Sequence, residues 1–297
     1  MIELAIHRPG LEAPRAMTPA LASSFTCVLA FARRELREAL TSRWFVLYGL
    51  AFAALSVSVS YVSLASAGSE GLAGFGRTAA GLLNLIMLVV PLMALTAGAG
   101  SLAGERERGT LIYLVAQPVS RWEVLLGKFL GLAAAFVACL CGGFGLSALV
   151  LASRGAVGID SFVMLVAATS LLALVMLALG FVISVFSRKS SVATGVALFT
   201  WLFLVLLSDL GLMAGSVLFK LRVQELFALS VLNPLQAFKL GVVQGLESSL
   251  DVLGPVGVYA SQTWGERLPW LLFGVLCAWG MLAFAVAAFG FSRSSTA

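Results

Sequence analysis

The chain has 297 residues, 60% of them hydrophobic and only 11% charged, and its mean hydropathy is +1.03. These values exclude a soluble globular domain and make lipid the solvent for most of the chain. The net charge of +5 does not point to nucleic acid, because lysine and arginine gather at the ends of apolar segments and form no basic face of a soluble domain.

The first twenty residues contain His7, Arg8, Pro9, Pro14 and Pro19 and lack the apolar core of a signal peptide, which predicts a disordered tail at 1–20 ahead of a single domain at 21–297. From 25 to 40, Phe25, Leu29, Leu36 and Leu40 recur at helical spacing opposite Arg33, Arg34, Glu35, Arg37 and Glu38. That is the pattern of an amphipathic helix on a membrane surface, and Arg43 and Trp44 lead from it into a spanning segment. Six segments, at 44–67, 78–100, 126–152, 162–186, 192–214 and 268–291, are long enough to cross about 30 Å of hydrocarbon. Helix is the form in which each can satisfy its own backbone in lipid, so the fold class is all-α and polytopic. With the N-terminus inside, thirteen of the nineteen lysines and arginines face the cytoplasm, which places both termini there.

The connection at 104–128 carries the most structure of its own. Glu105, Arg106, Glu107 and Arg108 alternate in sign, and a loop of this kind is expected to face water, either merely solvated or against a partner. Leu111, Leu114 and Val115 then fall at helical spacing, and Pro118 ends that short helix. Ser120 and Glu123 form an S-x-x-E capping box, flanked by a Val119 to Val124 staple, that starts the third span. Gly127 and Gly131, like Gly211 and Gly215, are G-x-x-x-G pairs of the type found at helix contacts.

The other long connection, 215–267, lies outside under this orientation. An apolar run at 217–230, a break at Asn233-Pro234 and a stripe of Leu235, Phe238, Val242 and Leu246 fit two helices half-buried at the outer surface, or a re-entrant pair dipping into the membrane. Gly254, Pro255, Gly257 and Gly265 mark the remainder as a loop. Asp209 is the one acid within an apolar run, toward the outer end of the fifth span, where it can reach water.

Catalytic and metal-binding residues are not expected. Cys139 and Cys141 stand two apart, about 200° around a helix, and cannot grip one ion together. Residues 104–110, GERERGT, lack the lysine of a phosphate-binding loop, and no other glycine-rich loop occurs, so any ATP must be bound by another subunit.

Glu105, Glu107, Gly109, Thr110, Leu111, Pro118, Ser120, Arg121, Gly127 and Lys128 together resemble the signature of the type-two (ABC-2) permeases of ABC transporters. The resemblance implies a permease half-unit of the bacterial inner membrane, pairing as a homodimer with two separate ATPase subunits that hold ATP and magnesium. By the same resemblance, 110–116 is a coupling helix, Glu105 to Arg108 make charged contacts with the ATPase, and Arg188 and Lys189 make a second contact. Asn233, Pro234, Phe238 and Lys239 resemble the outer motif of the NosY-type permeases. This implies an outer gate or extracytoplasmic partner and a role in maturing the copper sites of nitrous-oxide reductase. A different type-two permease exporting a drug, lipid or ion, and, from a different class, a membrane element relaying ATPase strokes to an outer partner without moving solute, are the alternatives.

Overall fold

The computed structural model describes residues 24–67, 71–110, 120–153, 159–245 and 254–293. Ten α-helices follow one another among the described residues: α1 Ser24–Thr41, α2 Arg43–Ala67, α3 Gly71–Glu107, α4 Arg121–Ser153, α5 Ile159–Phe186, α6 Ser190–Val217, α7 Val223–Leu232, α8 Pro234–Gly245, α9 Gly254–Trp264 and α10 Leu268–Arg293. Six of them, α2 to α6 and α10, are long and apolar enough to cross a membrane.

The core is built on the crossing of α3 and α5. Gly98 and Gly180 meet there, and a Cβ on Gly98 would lie 2.6 Å from the Leu177 carbonyl oxygen and 3.0 Å from Gly180 Cα. Backbone approach of this kind lets helices associate where lipid supplies no hydrophobic drive. The hydroxyl of Ser184, one turn further along α5, accepts the backbone N–H groups of Leu102 and Ala103, each at 2.9 Å. Ile86, Leu95, Leu102, Leu172 and Phe181 are fully buried around this seam. The buried hydroxyls of Ser60 and Ser147 hydrogen-bond to each other between α2 and α4. α2 and α6 are the least buried of the six, with Leu50, Val62, Phe199, Phe203 and Leu210 exposed.

The connection between α6 and α10 departs from expectation in two ways. Residues 254–264 form helix α9 where a loop was predicted, its start bearing Pro255, whose fixed φ suits a first turn. α8 is not half-buried at a surface: Leu235, Gln236, Ala237, Phe238, Leu240, Val242 and Val243 are all buried, packed against α10 and α5. α7 and α8 meet at 108°, the geometry of a broken or re-entrant pair. The physical reason is polar satisfaction at the break. Asn233 Oδ1 accepts the N–H of Leu235 at 3.0 Å, capping α8, while its Nδ2 donates to the Leu204 carbonyl of α6 at 2.8 Å. Gln236 Nε2 donates to the Ser208 carbonyl.

Candidate functional site

The 104–128 region is held at one end of the bundle, where the last turn of α3, the first turn of α4, helix α1, the α5–α6 turn and the C-terminal turn of α10 converge. Residues 111–119, with Leu111, Pro118 and most of the expected coupling helix, lie outside the described residues, as does the expected tail at 1–20.

Of the four alternating charges, the first three belong to α3 itself, and each has a distinct partner. Glu105 is only 5% exposed, and its Oε1 accepts from Lys128 Nζ at 3.0 Å. The same ammonium reaches Glu35 Oε2 on α1 at 2.7 Å. Lys128 is itself 3% exposed, so one buried cation bridges α1, the end of α3 and the start of α4. Burial pushes the Glu35 carboxyl above the usual carboxylate range, and Glu105 adds to the rise while Lys128 opposes it.

Arg106 is half-buried and its Nη1 donates to the carbonyls of Ser184, Val185 and Ser187, the free acceptors at the C-terminal end of α5. Glu107 is exposed, and its Oε2 accepts the N–H of Ser190 at 3.0 Å, placing a carboxylate at the positive end of α6. Arg108 and Gly109 form the turn after α3, with Gly109 at φ 72°, the left-handed position that ends a helix and favours glycine. The Thr110 hydroxyl donates back to the Glu105 carbonyl at 3.2 Å.

The second root of the segment is as firmly made. The predicted capping box is present: Ser120 N–H donates to Glu123 Oε2 at 3.0 Å, and Glu123 N–H donates to Ser120 Oγ at 3.2 Å. Arg121 Nη1 donates to the carbonyls of Phe291 and Ser292 at 3.2 and 3.5 Å, the C-terminal acceptors of α10. Phe129 meets Phe181 of α5 edge-on and Phe284 of α10 at a tilt, with ring centroids 5.7 and 4.8 Å away.

The expectation of a water-facing charged loop is therefore corrected for Glu105 and Arg106. Their charges are used inside the chain, because helix ends with unpaired carbonyls and a buried lysine stand within reach; Glu107 and Arg108 remain exposed. Arg188 and Lys189 sit in the turn between α5 and α6 and are also exposed. Asn233, Pro234 and Phe238 lie buried around the start of α8, and Lys239 is half-buried there.

Sequence reasoning placed Lys128 in the motif but missed Glu35, 93 residues away, as its partner. A signal was present in the Gly127 and Gly131 pair. A Cβ on Gly127 would lie 2.5 Å from Phe31 Cβ, and one on Gly131 2.5 Å from the Ala32 carbonyl, so the pair marks the seat of α1 on α4 and no contact between spans. Gly211 and Gly215 meet only leucine side chains. Cys139 is half-buried and Cys141 exposed, and the side chain of Asp209 lies outside the described residues.

One continuous joint thus fastens the two roots of a single inter-helical segment to α1, α5, α6 and α10 in a bundle of six apolar helices. Residues 29–296 match the family model of the ABC-2 family transporter proteins, and the chain belongs to that family: it is a membrane permease subunit of an ABC transporter, a class that works with an ABC ATPase. It is similar to the probable ABC transporter permease protein NosY of Pseudomonas aeruginosa, at 33% identity over 266 residues covering 86% of this chain and 97% of that protein. A second relative, the probable NosY permease of Stutzerimonas stutzeri, is 32% identical over 264 residues, covering 84% of this chain and 95% of that protein.

Proposed function

We propose that the 104–128 segment is the surface on which a separate ATPase subunit docks, and that the joint at its roots turns ATPase closure into movement of the whole bundle. The observation that carries this reading is the distribution of ties. Glu105 with Lys128 holds α1 and α4, Arg106 holds the end of α5, Glu107 the start of α6, and Arg121 the end of α10. A push on the segment therefore reaches five helices through buried or charge-assisted bonds, and packed helices shift as rigid bodies without bending.

The turn at 187–191, fastened to α3 by Arg106 and Glu107, moves with the segment and serves as the second ATPase contact. The charged end of the bundle faces the cytoplasm of a bacterial inner membrane, in keeping with the arginine and lysine bias. Two copies of the chain pair across the exposed faces of α2 and α6, which are the least covered spans, and two ATPase subunits bind ATP and magnesium. At the far end, α7 to α9 form the platform for an extracytoplasmic partner. Likeness to NosY permeases supports a place in the maturation of copper sites in nitrous-oxide reductase.

Coexpression of this chain with its ATPase tests the coupling reading. Arg106→Gln combined with Glu107→Gln is expected to leave the complex intact on purification and to lower permease-stimulated ATP hydrolysis at least about tenfold, two charge-assisted ties being lost at about 1.5 kcal/mol or more each. Unchanged stimulation in an intact complex refutes it.

A further inference from the structure

α5 and α6 share a three-residue turn but hardly touch beyond it, and the gap between them is a cleft of about 760 Å³. Val182 and Phe186, one turn apart on α5, form one wall, and Val192 and Val196, one turn apart on α6, form the other. Phe186 is 69% exposed and Val192 53%, so the cleft is open to whatever surrounds the bundle at that level.

The turn that closes the cleft contributes Arg188 and Lys189 to its lining. Among the described residues neither cation has an ion-pair partner. On the neighbouring element the Glu107 carboxylate accepts the N–H of Ser190, and the Arg106 guanidinium donates to the α5 carbonyls. Arg188 and Lys189 thus sit at the mouth of an apolar slot that is open at the surface of the chain.

We propose that this cleft binds an anionic phospholipid of the leaflet at the charged end of the bundle, its phosphate between Arg188 and Lys189 and an acyl chain along Val182, Phe186, Val192 and Val196. A soluble anion would answer the cations but leave the slot empty. A zwitterionic lipid would fill the slot but carry no net charge to neutralise the pair. The site shares Arg188 and Lys189 with the turn proposed as the second ATPase contact, and so it is tested on the permease without ATPase. If both hold, the lipid braces the turn that Arg106 and Glu107 fasten to the segment at 104–128.

The full-length permease, without ATPase and in mild detergent, is to be examined by native mass spectrometry with dioleoyl phosphatidylglycerol or dioleoyl phosphatidylcholine added at equal concentration. Phosphatidylglycerol is expected to be retained at least about tenfold more strongly, on the scale of two juxtamembrane cations. R188E/K189E is expected to abolish that preference, and Val196→Trp, which fills the slot, to lower retention of both lipids. R188Q/K189Q serves if the charge-reversed chain does not fold. Equal retention of the two lipids by the native chain overturns the proposal. So does a preference that survives R188E/K189E but disappears on reversing Arg33, Arg34 and Arg37 of α1, which would place the lipid elsewhere and leave Arg188 and Lys189 to the ATPase alone.

Discussion

Replacing Lys128 by methionine removes one ammonium and leaves two carboxylates facing each other in a protein interior. The side chains of Lys128, Glu35 and Glu105 are 4%, 12% and 7% exposed, so water can do little to compensate, and Glu105 Oε2 already lacks a partner among the described residues. Loss of one partner from a buried pair costs about 3–5 kcal/mol. Protonation of Glu35, whose carboxyl is already raised by burial, relieves part of the repulsion and places Lys128→Met near the lower end, about 3 kcal/mol. Reversible unfolding of the full chain in mixed micelles, followed by helical circular dichroism, measures this directly. Glu35→Met with Lys128→Met and Glu105→Met removes every charge together and is expected to recover most of the loss, since replacing a whole buried ion cluster by apolar residues of similar volume is often neutral or stabilising. A Lys128→Met chain within about 1 kcal/mol of native stability would refute the claim that this cation holds the joint.

The Glu35 carboxyl also sets a pH dependence. Its folded value lies above its unfolded one, so its contribution to stability is full below the unfolded value and is lost as pH rises through the folded value. Titrated upward through that window, native protein is expected to lose stability relative to Glu35→Gln, and a difference that does not vary with pH counts against it. Gly131→Val introduces a Cβ 2.5 Å from the Ala32 carbonyl and 2.6 Å from Glu35 Cβ, and is expected to cost about 1–3 kcal/mol and to lift α1 from α4, read as a longer spin-label distance between the two helices. Asn233→Ala deletes both the cap of α8 and the bond to the Leu204 carbonyl, at about 1–3 kcal/mol, and hydrogen exchange should quicken in α8 before α10. Arg121→Met removes the Arg121 bonds to the last carbonyls of α10, with faster exchange expected in the closing turn of that helix and not in α5.

Local rules carried the sequence reading well where the chain interacts with its own neighbours. The apolar lengths of α2 to α6 and α10, the Ser120 to Glu123 box and the break at Asn233-Pro234 are each set by residues within one or two turns, and each is present. What stayed hidden depends on residues far apart in the chain. Alternating Glu105 to Arg108 reads as a solvated surface because nothing local reveals a lysine 23 residues on and a glutamate from another helix converging on the first of them. The burial of α8 was equally hidden. Gln236 and Lys239 give its sequence the look of a surface helix, yet Gln236 is buried because it finds a carbonyl on α6. Periodicity states which residues share a face and not what the face meets.

The docking of an ATPase at 104–128, on the same side as the C-terminal end of α10, can be tested in one measurement. A photo-reactive amino acid placed at Tyr113, and in a second chain at Thr263 on α9 at the opposite end, is irradiated in membranes containing the coexpressed ATPase subunit. Adducts with the ATPase from position 113 and none from position 263 are expected. Adducts from 263 alone, or from neither position in membranes where the two proteins still co-purify, would contradict it.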